Sequence, residues 1–295
     1  MTDYVISCCS SADLTKERFE RRGIKYICFH FSLDGVEYPD DLGQTMPPEE
    51  LYRRMTEGAT TKTSQPSAGE YIEFFKPFLD DGKDVLHVTL STGISGAYNS
   101  ATVAAEQLRA QYPERKIYVV DSLGASSGYG LIMETLADLR DGGMNIDELN
   151  AWLLEHRLNL HHWFFSTDLT FYIKGGRVSK GSGFIGNMLG ICPLLNMDNL
   201  GRLIPREKVL GKKRVIKRTA EKMCEYAENG HDYDKKVFIC QSECLHDAER
   251  LAELVREKFP KMSGEPEIFP IGATIGSHTG PGTVSLFFWG SKRED

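Results

Sequence analysis

Hydroxyl and imidazole groups in short polar stretches are the side chains of this sequence best suited to hold a ligand. Ser95 stands where an apolar, β-branched run over 85–90 predicts a buried strand and a helical pattern begins near Tyr98. A helix N-terminus exposes unpaired N–H groups with a partial positive charge, and Gly93 and Gly96 leave space for a ligand. This turn is therefore predicted to bind an anion, unless Ser95 only caps its helix.

A second hydroxyl-rich stretch, over 60–67, is predicted to be a loop. Ser67 and Glu70 have the spacing of a capping box for the helix that follows. Thr63 and Ser64 have no such structural role, so they are predicted to face a ligand. The alternative is an ordinary polar loop.

A single histidine lies in a glycine-rich stretch near the C-terminus. His278 falls within 272–282, where Gly276 and other small residues leave its imidazole accessible in a tight turn after a strand. An imidazole donates a hydrogen bond to a carboxylate whether it is neutral or charged. The stretch 175–183 resembles a phosphate loop but lacks the required lysine, so it is predicted to be a flexible interdomain loop in which Arg177 supplies a charge.

Ser95 and His278 also allow an enzymatic interpretation. A strand, the turn 93–97 and a helix, with a histidine far downstream, follow the order of the nucleophile elbow in an α/β-hydrolase. Ala97 replaces the last glycine of that motif, and no intervening aspartate has an obvious place after a strand. A serine hydrolase is therefore the alternative, and a binding protein for another small carboxylate or phosphate is a third hypothesis.

The composition is that of an ordinary globular protein. Of 295 residues, 41% are hydrophobic and 26% are charged, and the net charge of -7 argues against general nucleic-acid binding. The N-terminus lacks a signal-peptide pattern, and no apolar run reaches the length of a membrane span. The 7 cysteines form no CxxC pair, so we expect reduced thiols, no metal site and a cytoplasmic protein with at most transient membrane contact.

The order of the predicted elements indicates an α/β protein of two domains. Strands alternate with helices over 1–160, which predicts a mostly parallel, Rossmann-like sheet with the ligand beyond its strand ends. Within it, 24–31 is predicted to be one strand, and Asp34-Gly35 is predicted to form a hairpin turn. Over 161–295, strands follow one another more directly, which predicts a second α/β domain with a largely antiparallel sheet.

Five motifs together resemble those of the DegV family, in the family's order and over nearly the whole chain. They are Thr63-Ser64-Gln65-Pro66-Ser67, Leu90-Ser91-Thr92-Gly93-Ile94-Ser95-Gly96, Val119-Val120-Asp121-Ser122, Lys174-Gly175-Gly176-Arg177 and Ile275-Gly276-Ser277-His278-Thr279-Gly280-Pro281-Gly282. The resemblance implies a fatty acid held in a tunnel between two α/β domains, with no cofactor and no catalysis by this chain. It also implies a separate fatty acid kinase that converts the bound acid to an acyl phosphate for phospholipid synthesis.

The resemblance also implies roles for particular residues. Thr63, Ser95 and His278 would hold the carboxylate. Supporting or partner-facing positions would be Ser64, Gly93, Gly96, Arg177 and Gly276. Candidates for the tunnel wall are Phe184, Ile185, Met188, Leu189 and Ile191.

The sequence departs from the family pattern at three positions. Cys9 replaces a usual aspartate, Cys192 a frequent lysine and Leu210 a frequent arginine. The last two changes bear on kinase docking, because a phosphoryl-transfer partner uses basic residues near a tunnel mouth. Basic residues that could compensate are Arg177, Lys180, Lys212, Lys213 and Arg214.

Overall fold

A computed structural model describes residues 4–179 and 190–295 as three β-sheets with helices packed around them. The strands are β1 Tyr4–Cys9, β2 Lys25–Ile27, β3 His30–Leu33, β4 Val36–Pro39, β5 Thr61–Ser64, β6 Asp84–Thr89, β7 Ile117–Asp121, β8 Leu160–Ser166, β9 Ile191–Met197, β10 Leu203–Leu210, β11 Phe238–Gln241, β12 Glu267–Pro270 and β13 Thr283–Trp289. The α-helices are α1 Lys16–Arg22, α2 Pro48–Thr56, α3 Ala68–Asp80, α4 Ala97–Gln111, α5 Ser126–Asp141, α6 Ile146–His156, α7 Thr170–Lys174, α8 Lys212–Tyr226, α9 Leu245–Lys258 and α10 Ala273–Thr279.

The first sheet is parallel throughout, in the order β2-β1-β6-β7. Parallel neighbours need crossover connections, and helices between the strands supply them. The polar turns after β1, β6 and β7 therefore meet at one edge of the sheet. At this edge Thr92 Oγ1 donates a hydrogen bond of 2.5 Å to Asp121. The predicted Rossmann-like sheet is confirmed.

The second sheet contains six strands in the order β10-β9-β8-β13-β11-β12. Its neighbours pair antiparallel, except for β11 and β12, which are parallel. The predicted largely antiparallel sheet is confirmed, and the chain is a two-domain α/β protein. This sheet begins with β8 at Leu160, beside the predicted domain boundary.

A small third sheet, in the order β4-β3-β5, corrects two predictions. The segment predicted as one strand over 24–31 is broken: β2 pairs with β1, whereas β3 pairs with β4 and β5. The stretch 60–67 is not simply a loop, because Thr61–Ser64 forms β5, with Thr63 opposite Phe31. Its threonines are β-branched and suit a strand, a preference that the hydroxyl content of the stretch conceals.

Helix α5 lies between the two large sheets. It contacts β1 on one side and β8, β11 and β13 on the other, and every residue from Ser126 to Glu134 is buried. Two glycines allow the close approach. A Cβ on Gly128 would lie 2.4 Å from the ring of Phe287, and one on Gly130 would lie 2.5 Å from the carbonyl oxygen of Ala12. The hydrophobic cores of the two domains are therefore continuous through this helix.

The turn between β9 and β10 rests on the turn that follows β6. Ser91 Oγ donates to the carbonyl of Gly201 (2.8 Å), and a Cβ on Gly93 would lie 2.3 Å from that same oxygen. Near the C-terminus, the buried Arg293 donates to Leu123 O (2.8 Å) and Asp198 O (3.0 Å), which joins the turn between β9 and β10 to the turn that follows β7. In each of these hydrogen bonds a side chain donates to a backbone carbonyl.

Replacing Gly93 by alanine is expected to lower the free energy of unfolding by about 2 kcal/mol, because the added methyl overlaps the Gly201 carbonyl. Urea unfolding measures the change. The matched control is Gly69→Ala in α3, where a Cβ would meet only Ser67 Oγ, at 3.8 Å, and no loss is expected. Equal stability of Gly93→Ala and the parent would show that this turn does not hold the domains together.

No helix within 4–179 and 190–295 combines the length and the apolar character that crossing a lipid bilayer requires. The same residues include no group of three or more histidine, cysteine, aspartate or glutamate side chains that could hold a metal ion. All seven cysteines are free thiols.

Candidate functional site

A cavity lies where the three sheets approach one another. It encloses about 690 Å³, part of which is open to solvent. The second sheet, α10 and segments that follow strands of the first sheet contribute to a mostly apolar wall that includes Phe29, Leu90, Phe164, Met197, Ile275 and Phe287. Thr63, Ser95, Arg177 and His278 line the same cavity. The structure therefore brings together the three residues predicted to hold a carboxylate.

His278 lies in the last turn of α10, not in the tight turn that its glycine-rich surroundings predict. Its Nε2 is 2.7 Å from Thr63 Oγ1 on β5. Gly175, at the end of α7, makes room for the ring, because a Cβ there would lie 2.3 Å from His278 Nδ1. Helix α10 and the small sheet together thus fix the imidazole against the threonine hydroxyl.

Arg177 contacts the other side of the imidazole. Its Nη1 lies 3.3 Å from His278 Nδ1 and donates to Gly175 O (2.6 Å). Its Nε and Nη2 donate to Ile94 O, at 3.3 and 3.2 Å, directly before Ser95. Arg177 therefore connects the predicted glycine-rich loop to both other parts of the site.

These contacts define the protonation state of His278. A guanidinium only donates hydrogen bonds, so Nδ1 accepts from Arg177 and the ring proton lies on Nε2. Nε2 then donates to Thr63 Oγ1, which keeps its own proton to donate to a ligand. Burial, assisted by the charge of Arg177, lowers the pKa of His278 to about 4, so the imidazole is neutral at pH 7.

Replacing Arg177 by glutamine is expected to raise the pKa of His278 above 4, because a nearby positive charge disfavours the imidazolium. The rise should fall short of the ordinary value of 6.5, since burial is the larger cause of the shift. An NMR titration of the imidazole measures it. Lys174→Gln removes the same charge from an exposed position and should leave this pKa unchanged. An unchanged pKa in Arg177→Gln would contradict the assigned contact.

Ser95 lies just before α4, which begins at Ala97 with Gly96 as its N-cap. Its Oγ accepts a hydrogen bond from Ala97 N (3.2 Å), so the serine does help to cap the helix. The same side chain lines the cavity. The capping and the ligand-binding interpretations of Ser95 are therefore compatible, since its hydroxyl proton can still be donated.

The glycines of these motifs make room for protein atoms. Backbone from the turn between β9 and β10 lies beside Gly93, and a Cβ on Gly96 would lie 2.8 Å from Gln65 Oε1. A Cβ on Gly276 would lie 2.3 Å from the Tyr52 hydroxyl. The motif at Gly93 and Gly96 predicts that these glycines leave space for a ligand. In the structure, glycine is needed at these positions because other parts of the protein pack closely against them.

Other predicted positions do not reach the cavity. Ser64 is exposed on the face of β5 opposite to Thr63, because successive residues of a strand point to opposite faces. Ile191 begins β9 and is not part of the cavity wall. The remaining tunnel candidates, Phe184, Ile185, Met188 and Leu189, and also Lys180, lie outside the described residues.

Sequence reasoning missed much of the cavity wall. Phe164 on β8 and Ser285 and Phe287 on β13 line it, with Ser285 opposite Phe164 in the register. Ser285 and Phe287 are two residues apart on one strand, a spacing that indicates that they share a face of the sheet. It does not say whether that face meets a core or a cavity.

The chain has two α/β domains that enclose a mostly apolar cavity, one end of which is polar and positively charged. This arrangement is typical of proteins that bind small molecules. The DegV family model matches residues 6–290, and this chain belongs to the DegV family. A DegV domain-containing protein of Clostridium perfringens is 34% identical over 294 residues, covering 100% of both chains.

Solved structures agree with this assignment. A DegV lipid-binding protein from Thermotoga maritima superposes with a TM-score of 0.84 at 29% identity, covering 100% of both chains. A second T. maritima protein, whose structure reveals a fatty-acid-binding function, has a TM-score of 0.82 at 28% identity, covering 99% of this chain and 100% of that chain. The predicted family and fold are confirmed.

Proposed function

We propose that this protein binds a long-chain fatty acid at the site formed by Thr63, Ser95 and His278, with the two hydroxyls donating to the carboxylate and His278 supporting Thr63. The observation that carries the proposal is that Arg177 is partly buried without an acidic partner among the described residues. Its guanidinium is half-buried at the polar end of an apolar cavity, and no acidic side chain among the described residues pairs with it. A partly buried cation without a counter-charge favours an anionic ligand.

The hydroxyls are suited to a carboxylate, which only accepts hydrogen bonds. Thr63 accepts from His278 and so presents its proton to the cavity, and Ser95 accepts from Ala97 N and can do the same. His278 stays neutral and fixes the direction of the threonine hydroxyl. Arg177 contributes a positive charge to the site. Since no acidic side chain in the described part of the chain pairs with it, that charge is available to an anionic ligand.

The apolar wall accounts for the tail of the ligand. Each buried methylene contributes about 0.8 kcal/mol, so a chain of roughly 15 methylenes contributes up to ~12 kcal/mol before the cost of ordering it. A short polar anion would leave this wall unused. Both T. maritima relatives named above are described as lipid or fatty-acid binders, which supports the same ligand class.

We further infer that the chain acts as a cytoplasmic, non-catalytic carrier that presents the acid to a separate fatty acid kinase. This role rests on the family resemblance. The geometry offers less support to the serine hydrolase, because His278 faces Arg177 through Nδ1 where a hydrolase histidine needs a carboxylate. Labelling of Ser95 by a fluorophosphonate probe would support the hydrolase instead.

Mass spectrometry of the purified protein tests the proposal. Native spectra are expected to show one bound C14–C18 acid, the chain range that the resemblance implies, released only when the protein is denatured and extracted with solvent. A protein that is empty and also refuses added fatty acid would contradict the proposal. A short polar ligand in the extract would favour the alternative of another small carboxylate or phosphate.

A further inference from the structure

Helix α10, which carries His278, is held at its beginning by an aspartate from a distant part of the chain. Asp40 directly follows β4 and is only 2% exposed. Its Oδ2 accepts hydrogen bonds from the backbone N (3.1 Å) and the Oγ1 (2.5 Å) of Thr274. Asp40 is itself fixed, because its N–H donates to Phe29 O (2.8 Å). The carboxylate therefore links the small sheet to the first turn of α10.

The helix cannot supply this cap from its own sequence. Its N-cap is Gly272, which has no side chain to accept the free N–H groups of the first turn. A larger residue is excluded there, since a Cβ would lie 2.5 Å from Asp13 Oδ1 and 3.6 Å from Asp40 Oδ1. Asp40 thus performs across space the role that serine or aspartate usually performs at the N-cap.

The capped residue and the functional residue lie on one face of the helix. Thr274 and His278 are four residues apart, which places them one above the other. Both line the cavity. A shift of Thr274 along or around the helix axis would move the imidazole by a similar amount, and the bond of 2.7 Å to Thr63 tolerates little displacement.

We propose that Asp40 is a positioning residue for the ligand head group: by fixing Thr274, it sets the position of α10 and so holds His278 against Thr63. The inference rests on the proposed function, because the head group in question is the fatty acid carboxylate. Asp40 does not line the cavity, so its effect on the ligand is indirect.

Other contacts hold α10 and the segment that leads into it. Tyr52 Oη donates to Ile271 O (3.0 Å), and Thr61 Oγ1 donates to Ser277 O (3.1 Å). The first bond ties the segment just before α10 to α2, and the second ties α10 to β5 of the small sheet, so α10 should stay attached when Asp40 is changed. The expected result is therefore a displaced imidazole in a folded protein, which separates positioning from global stability.

The experiment compares Asp40→Ala with Asp40→Asn in delipidated protein, with palmitic acid as the probe. The amide oxygen of asparagine still accepts from Thr274, so Asp40→Asn should bind within about threefold of the parent. Asp40→Ala should bind about tenfold more weakly or worse, as expected when one hydrogen bond to a charged group is lost. The ¹⁵N resonances of the His278 imidazole, recorded without ligand, should move in Asp40→Ala and stay in Asp40→Asn.

Asn145→Ala is the matched control, because Asn145 caps α6 in the same way but lies away from the cavity. It should lower the midpoint of thermal unfolding by a few degrees with unchanged palmitate affinity. If Asp40→Ala does not fold, Thr274→Val removes the Oγ1 donor in a residue of similar shape, and the His278 resonances should again move.

Unchanged His278 resonances in the folded Asp40→Ala or Thr274→Val protein would overturn the inference. So would parent-like palmitate affinity in Asp40→Ala. Failure of the parent to bind palmitate would instead count against the proposed function, and the ligand-free imidazole resonances would still decide whether Asp40 positions His278.

Discussion

Replacing Thr63 and Ser95 together by alanine is expected to remove the bound fatty acid while leaving the fold intact. Each hydroxyl would donate a hydrogen bond to a charged carboxylate, and such bonds contribute about 1.5–3 kcal/mol apiece. Their joint loss should weaken binding by at least about 100-fold. The ratio of extracted lipid to protein, measured by mass spectrometry, reports the change.

Two threonines whose hydroxyls bond to the backbone of their own helices provide the control. Thr56 Oγ1 donates to Tyr52 O (2.9 Å), and Thr135 Oγ1 donates to Leu131 O (2.9 Å). The double variant Thr56→Ala, Thr135→Ala should retain lipid at the parent level. If the Thr63, Ser95 variant also retains it, the carboxylate is bound elsewhere and the assigned site is wrong.

Acidification from pH 7 to pH 5 is expected to remove the stability that several histidines contribute, because they are buried in the neutral form. Burial lowers the pKa of His87 to about 3. It also lowers the pKa of His161 to about 4, with help from Arg293. In the unfolded chain these groups take up protons near the ordinary pKa of 6.5, so their contribution is present above pH 6.5 and is lost as the pH falls towards 4.

At pH 5 each of these two histidines should already have removed about 2 kcal/mol from the free energy of unfolding. Two buried acids act in the opposite direction. Burial raises the pKa of Asp13 and of Asp40, so their contribution is complete at low pH and is lost as the pH rises. Urea unfolding at pH 7, 6 and 5 measures the sum of these effects.

A single variant isolates the histidine contribution. In His87→Gln the difference between the stabilities at pH 7 and pH 5 should shrink by about 2 kcal/mol, since glutamine does not titrate. His246→Gln is the control, because it makes the same substitution at an exposed position in α9. The same pH dependence in His87→Gln as in the parent would mean that the buried histidine titrates normally.

The parts of the fold that follow local rules could be predicted from the sequence. The capping boxes at Ser67 and Asn145 are present, and Asp34-Gly35 forms a two-residue hairpin turn with positive φ at both residues. The alternation of strands and helices specifies the parallel sheet, because each parallel pair needs a crossover. These features depend on residues close together in the chain.

The errors arise where distant residues decide the structure. β5 is a strand because it pairs with β3, a partner that nothing in the stretch 60–67 identifies. The short helix α10, in a glycine-rich segment, is capped by Asp40, which is far away in the sequence. Gly93 likewise faces the turn between β9 and β10, so its role depends on a domain that follows much later.

The candidate site was predicted best where a family motif supplied the residues. Thr63, Ser95 and His278 do meet at one cavity, whereas Ser64 faces away from it. The role of Arg177 as the partner of His278 requires two segments that sequence alone cannot place side by side. The apolar wall was largely missed, since a residue that lines a cavity has the same pattern as one in a solid core.

The position of α5 between the two sheets has a consequence for synthesis on the ribosome. This helix is complete well before β11 and β13 are translated, yet its second face packs against those strands as well as against β8. Domains generally fold as units during synthesis, with the N-terminal one first. Here the nascent N-terminal half would expose an apolar helix until the last strand emerges. The second face of α5 is therefore fully covered only after translation reaches Trp289.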